Sequence, residues 1–165
     1  MKVLSSALIL LLLSGVSGAA MAGPGEGTGL GIILGEPTGL SIKKWTGTGQ
    51  AIDFGIAWSF SENNSFHFHA DYLIHSFDIL ETDGSEGRIP VYFGLGGRLK
   101  LSEDEDDGKG RNNEDSLIGI RIPFGISYLF RDAPVDIFME IVPVLDIAPD
   151  TEFDLNGAIG ARFYF

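Results

Sequence analysis

Three histidines and one aspartate fall at close, odd-numbered positions in one short stretch: His67, His69, Asp71 and His75. In a β-strand, residues two apart point to the same side, so this spacing puts all four side chains on one face. Imidazole with carboxylate is a donor set for zinc or copper. Same-face neighbours on one strand stand about 6–7 Å apart, however, so an ion would also need ligands from a neighbouring strand. The favoured reading is an interior cluster satisfied by hydrogen bonds. A second grouping, the run 102–116 (SEDEDDGKGRNNEDS), is strongly acidic. Within it, Glu103-x-Glu105-x-Asp107-Gly108-x5-Glu114 has the spacing of an EF-hand calcium loop. Glutamate at the first two ligand positions, Arg111 at the ninth, and strands in place of flanking helices depart from that pattern. A solvated, self-repelling surface loop is favoured. His75-Ser76 with Asp78 comes nearest to a serine–histidine–acid arrangement, but it falls at a strand end and no catalytic residue is assigned.

A third set is more widely spread. Lys43, Asp53, Asp71, Arg98, Lys100, Arg121, Asp136, Glu140 and Arg162 are spread through segments that are otherwise largely apolar. The segments that carry them alternate with a period of two, the signature of strands. In 50–60, Ile52, Phe54, Ile56, Trp58 and Phe60 oppose Ala51, Asp53, Gly55, Ala57 and Ser59. In 66–75, Phe66, Phe68, Ala70, Tyr72 and Ile74 oppose the histidine face. The same alternation runs through 89–101 and 117–130, and less cleanly through 29–35, 39–45, 135–147 and 155–165. That makes eight strands. Every connection reads as short and turn-like except the acidic run.

The beginning of the chain is a different kind of segment. Lys2, the apolar run Ala7 to Leu13 and the small-residue end Ala20-Met21-Ala22 have the three-part layout of a secretory signal, expected to be cleaved before Gly23. The apolar run is too short for a membrane helix, which needs about 20 residues. Residues 1–22 are therefore read as a signal peptide and 23–165 as one barrel domain. The absence of cysteine removes disulfides and thiolate metal sites. A formal net charge of −12 argues against a nucleic-acid partner, because such binding relies on Lys and Arg at phosphates.

Alternation alone fits a soluble, lipocalin-like barrel as well as a membrane one. Two features favour the membrane. The apolar face is uniformly large and aromatic, and eight strands of it would overfill a narrow lumen. The opposite face is mostly Gly, Ala and Ser with charges of both signs, which suits a tight polar interior. Aromatics near strand ends (Trp58 and Phe60, Tyr128 and Phe130, Phe163 and Phe165) fit girdles at two interfaces. The expected fold is all-β: an eight-stranded antiparallel up-and-down transmembrane β-barrel. An even strand count puts both termini on the periplasmic side and the acidic run outside.

The last strand, ending Phe163-Tyr164-Phe165, resembles the carboxy-terminal signature of outer-membrane barrels, which implies that the barrel-assembly machinery reads Phe163 and Phe165. GLGIILGEPTGLSIKKW (29–45), AIDFGIAWSF (51–60) and HADYLIH (69–75) are similar to the small OmpA-like barrel proteins first noted in spirochaetes, whose activity is undefined. In OmpA-like barrels generally, an interior salt-bridge network blocks or gates the lumen. The resemblance implies that role for the charged set above, joined on the same face by His67, His69 and His75. The expected function is a structural or surface-interaction barrel with a charge-plugged lumen, not an enzyme and without a cofactor. Its expected partners are outer-membrane lipid, lipopolysaccharide, the assembly machinery and an extracellular partner for 102–116. A narrow gated pore is the alternative, followed by a lipid A-modifying enzyme and a soluble periplasmic barrel.

Overall fold

The computed structural model describes residues 25–36, 38–59, 65–80, 87–103 and 114–165. The signal segment 1–22 and Phe60 lie outside the described residues. Ten strands are present: β1 (Thr28–Gly35), β2 (Thr38–Gly47), β3 (Gln50–Ser59), β4 (Ser65–Ser76), β5 (Gly87–Arg88), β6 (Val91–Glu103), β7 (Glu114–Arg121), β8 (Phe124–Phe130), β9 (Val135–Ala148) and β10 (Glu152–Tyr164). All pairings are antiparallel, and β10 pairs with both β9 and β1, so the sheet closes on itself. The ring has eight staves, because β5 with β6 and β7 with β8 are each one stave interrupted once. Closure leaves no open edge, which an open antiparallel sheet would have to protect.

Proline causes both interruptions. Ser127 N–H donates to the Pro90 carbonyl, and Gly94 N–H donates to the Pro123 carbonyl. Proline has no N–H to return either bond. On the next stave, Ile122 N–H donates to the Pro143 carbonyl, again without a return bond. The register runs through each interruption unchanged, since Val91 faces Ile126 and Gly96 faces Arg121. One sector of the wall, across three adjacent staves, is therefore held by fewer hydrogen bonds than the rest.

Two expected connections are corrected. The ladder continues to Glu103 facing Glu114, so the ends of the acidic run 102–116 are strand, and its middle, 104–113, lies outside the described residues. The link from β4 to β5 is not a short turn but spans 77–86. Its described part, 77–80, carries exposed Ile79 and Leu80. Apolar residues continue past Ser76 at Phe77, Ile79 and Leu80, so composition alone does not mark the end of the strand.

The polarity of the barrel is inverted relative to a soluble one. Leu95 is 61% exposed on the outer wall, whereas Arg121 is 2% exposed on the inner one. A narrow lumen must still accommodate large inward residues, and the sequence pairs several of them with a glycine. Tyr164 faces Gly29, Asp71 faces Gly96, Tyr92 faces Gly125, and Phe138 faces Gly160. His69 and Asp146 face Gly55 and Gly119 in the same way. In each pair the side chain lies across the glycine, where an added Cβ would collide with it.

Candidate functional site: the charged lumen

Alternation along each stave turns the charged set inward. Lys43, Asp53, Asp71, Arg98, Arg121, Asp136, Glu140 and Arg162 are all buried. They assemble into three groups along the barrel. The first joins β2, β3, β9 and β10, near the end where β1 begins and β10 ends. Arg162 Nε donates to Ser41 Oγ at 2.7 Å and its Nη2 to Asp53 Oδ1 at 3.0 Å. Its Nη1 lies 3.5 Å from Asp136 Oδ2, and its guanidinium sits 3.7 Å from the Phe138 ring centroid. Tyr164 Oη donates to Asp136 Oδ2 at 2.7 Å.

Beside this group, Lys43 Nζ donates to His75 Nε2 at 2.8 Å. The ring then carries its proton on Nδ1, 3.2 Å from the Gly49 carbonyl it donates to. Trp45 packs against His75 at a tilt, with centroids 4.5 Å apart, and Lys43 lies 4.6 Å from the Trp45 ring. Trp45, Ala51, Leu129 and Tyr164 form an apolar cluster at this end.

In the second group, Arg121 Nε donates to both oxygens of Asp71, at 3.2 and 3.1 Å, and its Nη2 lies 3.8 Å from Glu140 Oε1. Tyr92 Oη donates to Glu140 Oε2 at 3.0 Å. In the third, toward the opposite end, Arg98 Nε donates to Asp146 Oδ1 at 2.9 Å and Nη2 pairs with Asp146 Oδ2. Arg98 Nη1 reaches Asp154 at 3.2 Å. Lys100 lies on the same inner face, half-buried and directly opposite His67, and takes part in none of these ion pairs.

The histidine set is placed on one inward face, yet it does not converge on a metal. No group of three His, Asp or Glu side chains among the described residues is positioned to hold an ion. The reason is competition from neighbouring staves. Lys43 takes His75, Arg121 takes Asp71, and His69 lies flat across Gly55 with neither ring nitrogen bonded to protein. Ser76 takes the opposite strand face from His75, and Asp78 is exposed beyond the strand, so those three do not form a catalytic arrangement. Phe163 and Phe165 face outward at the end of β10.

The sequence reading missed Ser41, Tyr92, Asp146, Asp154 and Tyr164 as members of the network. Asp146 and Asp154 share the inward parity of Glu140 and Asn156, which was the available signal. The hydroxyl residues gave the same signal, since Ser41, Tyr92 and Tyr164 share the inward parity of Lys43, Arg98 and Arg162.

Eight closed staves, an apolar outer wall and a paired polar interior define the class: a small antiparallel β-barrel of the outer-membrane type of fold. The chain belongs to the family described as "Protein of unknown function (DUF3996)", which matches residues 25–163. Among solved structures it is similar to the N-terminal β-barrel domain of Pseudomonas aeruginosa OprF. The TM-score is 0.58 at 15% identity, over 84% of this chain and 95% of that one. No curated protein sequence matches the chain.

Proposed function

We propose that this protein is an integral outer-membrane barrel, exported by the signal at 1–22, whose lumen is a structural plug. The observation that carries the reading is the inverted polarity: isoleucine, leucine and phenylalanine cover the outer wall while arginine and aspartate fill the inner one. In water that arrangement would expose an apolar belt far larger than the few hundred Å² a soluble monomer tolerates. In a bilayer it satisfies every backbone group within a closed ring and puts hydrocarbon against hydrocarbon. The end where β1 begins and β10 ends is then periplasmic, and Glu103 and Glu114, at the facing ends of β6 and β7, lie on the outer side, which would offer the run 102–116 to an extracellular partner. Lipid and lipopolysaccharide surround the belt. Phe163 and Phe165 are offered to the assembly machinery on the outward face.

Eight staves leave an interior wide enough only for side chains. The three ion-paired groups occupy it at successive levels, which supports a plug and a role in fixing stave register. Membrane fractionation and electrophoresis with and without heating test the reading. A membrane-bound chain whose folded band shifts on boiling is expected; a soluble chain with no shift would end the proposal.

A gated pore is favoured by one observation. Arg121 and Arg98 each contact two carboxylates, one closely and one more loosely. Planar-bilayer recording decides this: gating requires a conductance step that is lost in Glu140→Ala and Arg98→Ala. Unchanged lipid A mass spectra with and without the protein would dispose of the enzyme reading.

A further inference from the structure

The outer wall is not evenly filled. A groove of about 550 Å³ crosses it between two outward rows that run along the hydrogen-bonding direction. One row is Leu34, Ile159, Met139 and Ile126, each facing the next across the ladder. The other is Ile32, Ala161, Ile137 and Tyr128, ending beside Ile89. The floor is formed by Gly160, Phe138 and Ser127. The groove exists because the wall is thin there: Ala161 is the one small residue in its row, and Gly160 leaves the Phe138 ring as backing.

We infer that this groove binds one acyl chain of an anionic glycerophospholipid from the periplasmic leaflet. The inference rests on the membrane reading above. Its dimensions are the first support. Four stave spacings of about 4.8 Å give a length of about 19 Å. With staves tilted by ~35–45°, a row perpendicular to them rises about 12 Å across the bilayer. That is close to half of a ~30 Å hydrocarbon core, the reach of one leaflet.

Its placement is the second support. Tyr128 lies two residues from the periplasmic end of β8, whereas Ile32 lies in the middle of β1. The groove therefore starts at the periplasmic interface and climbs to the midplane. Chemistry at the starting end is the third. Tyr128 and Phe130 pack edge to face there, with centroids 4.7 Å apart, at the level where aromatic girdles meet headgroups. Arg131 follows them directly and is exposed, and its guanidinium, which already has a protein contact, carries donors enough to meet a phosphate as well. Apolar contact in hydrocarbon gains nothing from water exclusion, so the selectivity comes from packing in the groove and from the charge at its mouth.

Native mass spectrometry of the full folded protein, released from nanodiscs of palmitoyl-oleoyl phosphatidylglycerol, tests the site. The wild type is expected to retain one lipid. Ala161→Phe fills the groove and should lower that occupancy by about fivefold, since the chain loses its close packing. Arg131→Glu should lower it as well. Leu95→Phe, on the same apolar belt but outside the groove, should retain lipid like the wild type. Equal retention by Ala161→Phe and wild type, no retained lipid, or a dimer that Ala161→Phe disrupts would each overturn the inference. Unchanged retention in Arg131→Glu would overturn the headgroup assignment. A heat-shifted folded band in the same preparation shows that the barrel itself is intact. Loss of that band would instead count against the membrane reading on which the site depends.

Discussion

Replacing Arg162 by methionine should unbalance the lumen in a calculable way. Four buried charges meet in its group: Lys43 and Arg162 against Asp53 and Asp136, all with at most 2% of their surface exposed. Arg162→Met leaves one cation for two carboxylates. It also removes the donors to Asp53 at 3.0 Å and to Ser41 at 2.7 Å. Breaking a buried pair by removing one partner costs about 3–5 kcal/mol. Tyr164 and Ser41 still donate to Asp136 and Asp53, which argues for the lower part of that range. Adding Asp53→Asn restores charge balance, so the double variant should recover most of the loss, because a matched pair replaced as a whole is often close to neutral. The assay is reversible urea unfolding from lipid vesicles, followed by the folded electrophoretic band and extrapolated linearly to zero denaturant. If Arg162→Met shifts stability by less than ~1 kcal/mol, or the double variant is no better than the single one, the lumen is not held by paired charge and the reasoning fails.

Three further outcomes follow from the wall. Gly125→Val would drive its side chain into the Tyr92 ring, away from Glu140, costing about 1–3 kcal/mol by overpacking; Gly157→Val, with no heavy atom near its Cβ, should change stability by less than about 0.5 kcal/mol in the same assay. Pro143→Val supplies the missing N–H opposite the Ile122 carbonyl, and should add about 0.5–1.5 kcal/mol and slow hydrogen exchange around 120–125. Leu95→Arg puts a cation on the middle of the outer belt and should cost about 2–4 kcal/mol in a bilayer, whereas a barrel standing in water would be indifferent to it.

The facing of residues was legible in the sequence because a strand has only two faces. Once Ile52, Phe54 and Ile56 are set on one side, Asp53 must lie on the other. Partnership was not legible. Arg162 meets Asp53 and Ser41, more than a hundred residues away, through the closure of β10 onto β1 and the stagger of the staves. No local pattern encodes that stagger. The boundaries of the acidic run were hidden for a different reason, since a stretch of charge has no alternation to mark where the ladder stops. The histidines illustrate both limits together. Their common face followed from spacing, but Lys43 and Arg121, which take His75 and Asp71, arrive from other staves.

The glycine pairings bear on whether such a lumen can open. A gate made by exchanging ion-pair partners works only if the space released by one side chain is continuous with the next. Here the residues that fill the lumen lie flat across glycines on the neighbouring stave: Tyr92 across Gly125, His69 across Gly55, Asp71 across Gly96. Moving Arg121 from Asp71 to Glu140 would leave the Tyr92 and His69 rings where they are. Nor would it disturb Arg162, which is held independently by Ser41 and Asp53. Opening would require two levels of the network and at least one ring to rearrange together. The same packing that makes a narrow barrel possible also makes a single exchange insufficient to clear it, and this is why the plug is the stronger reading of the charges.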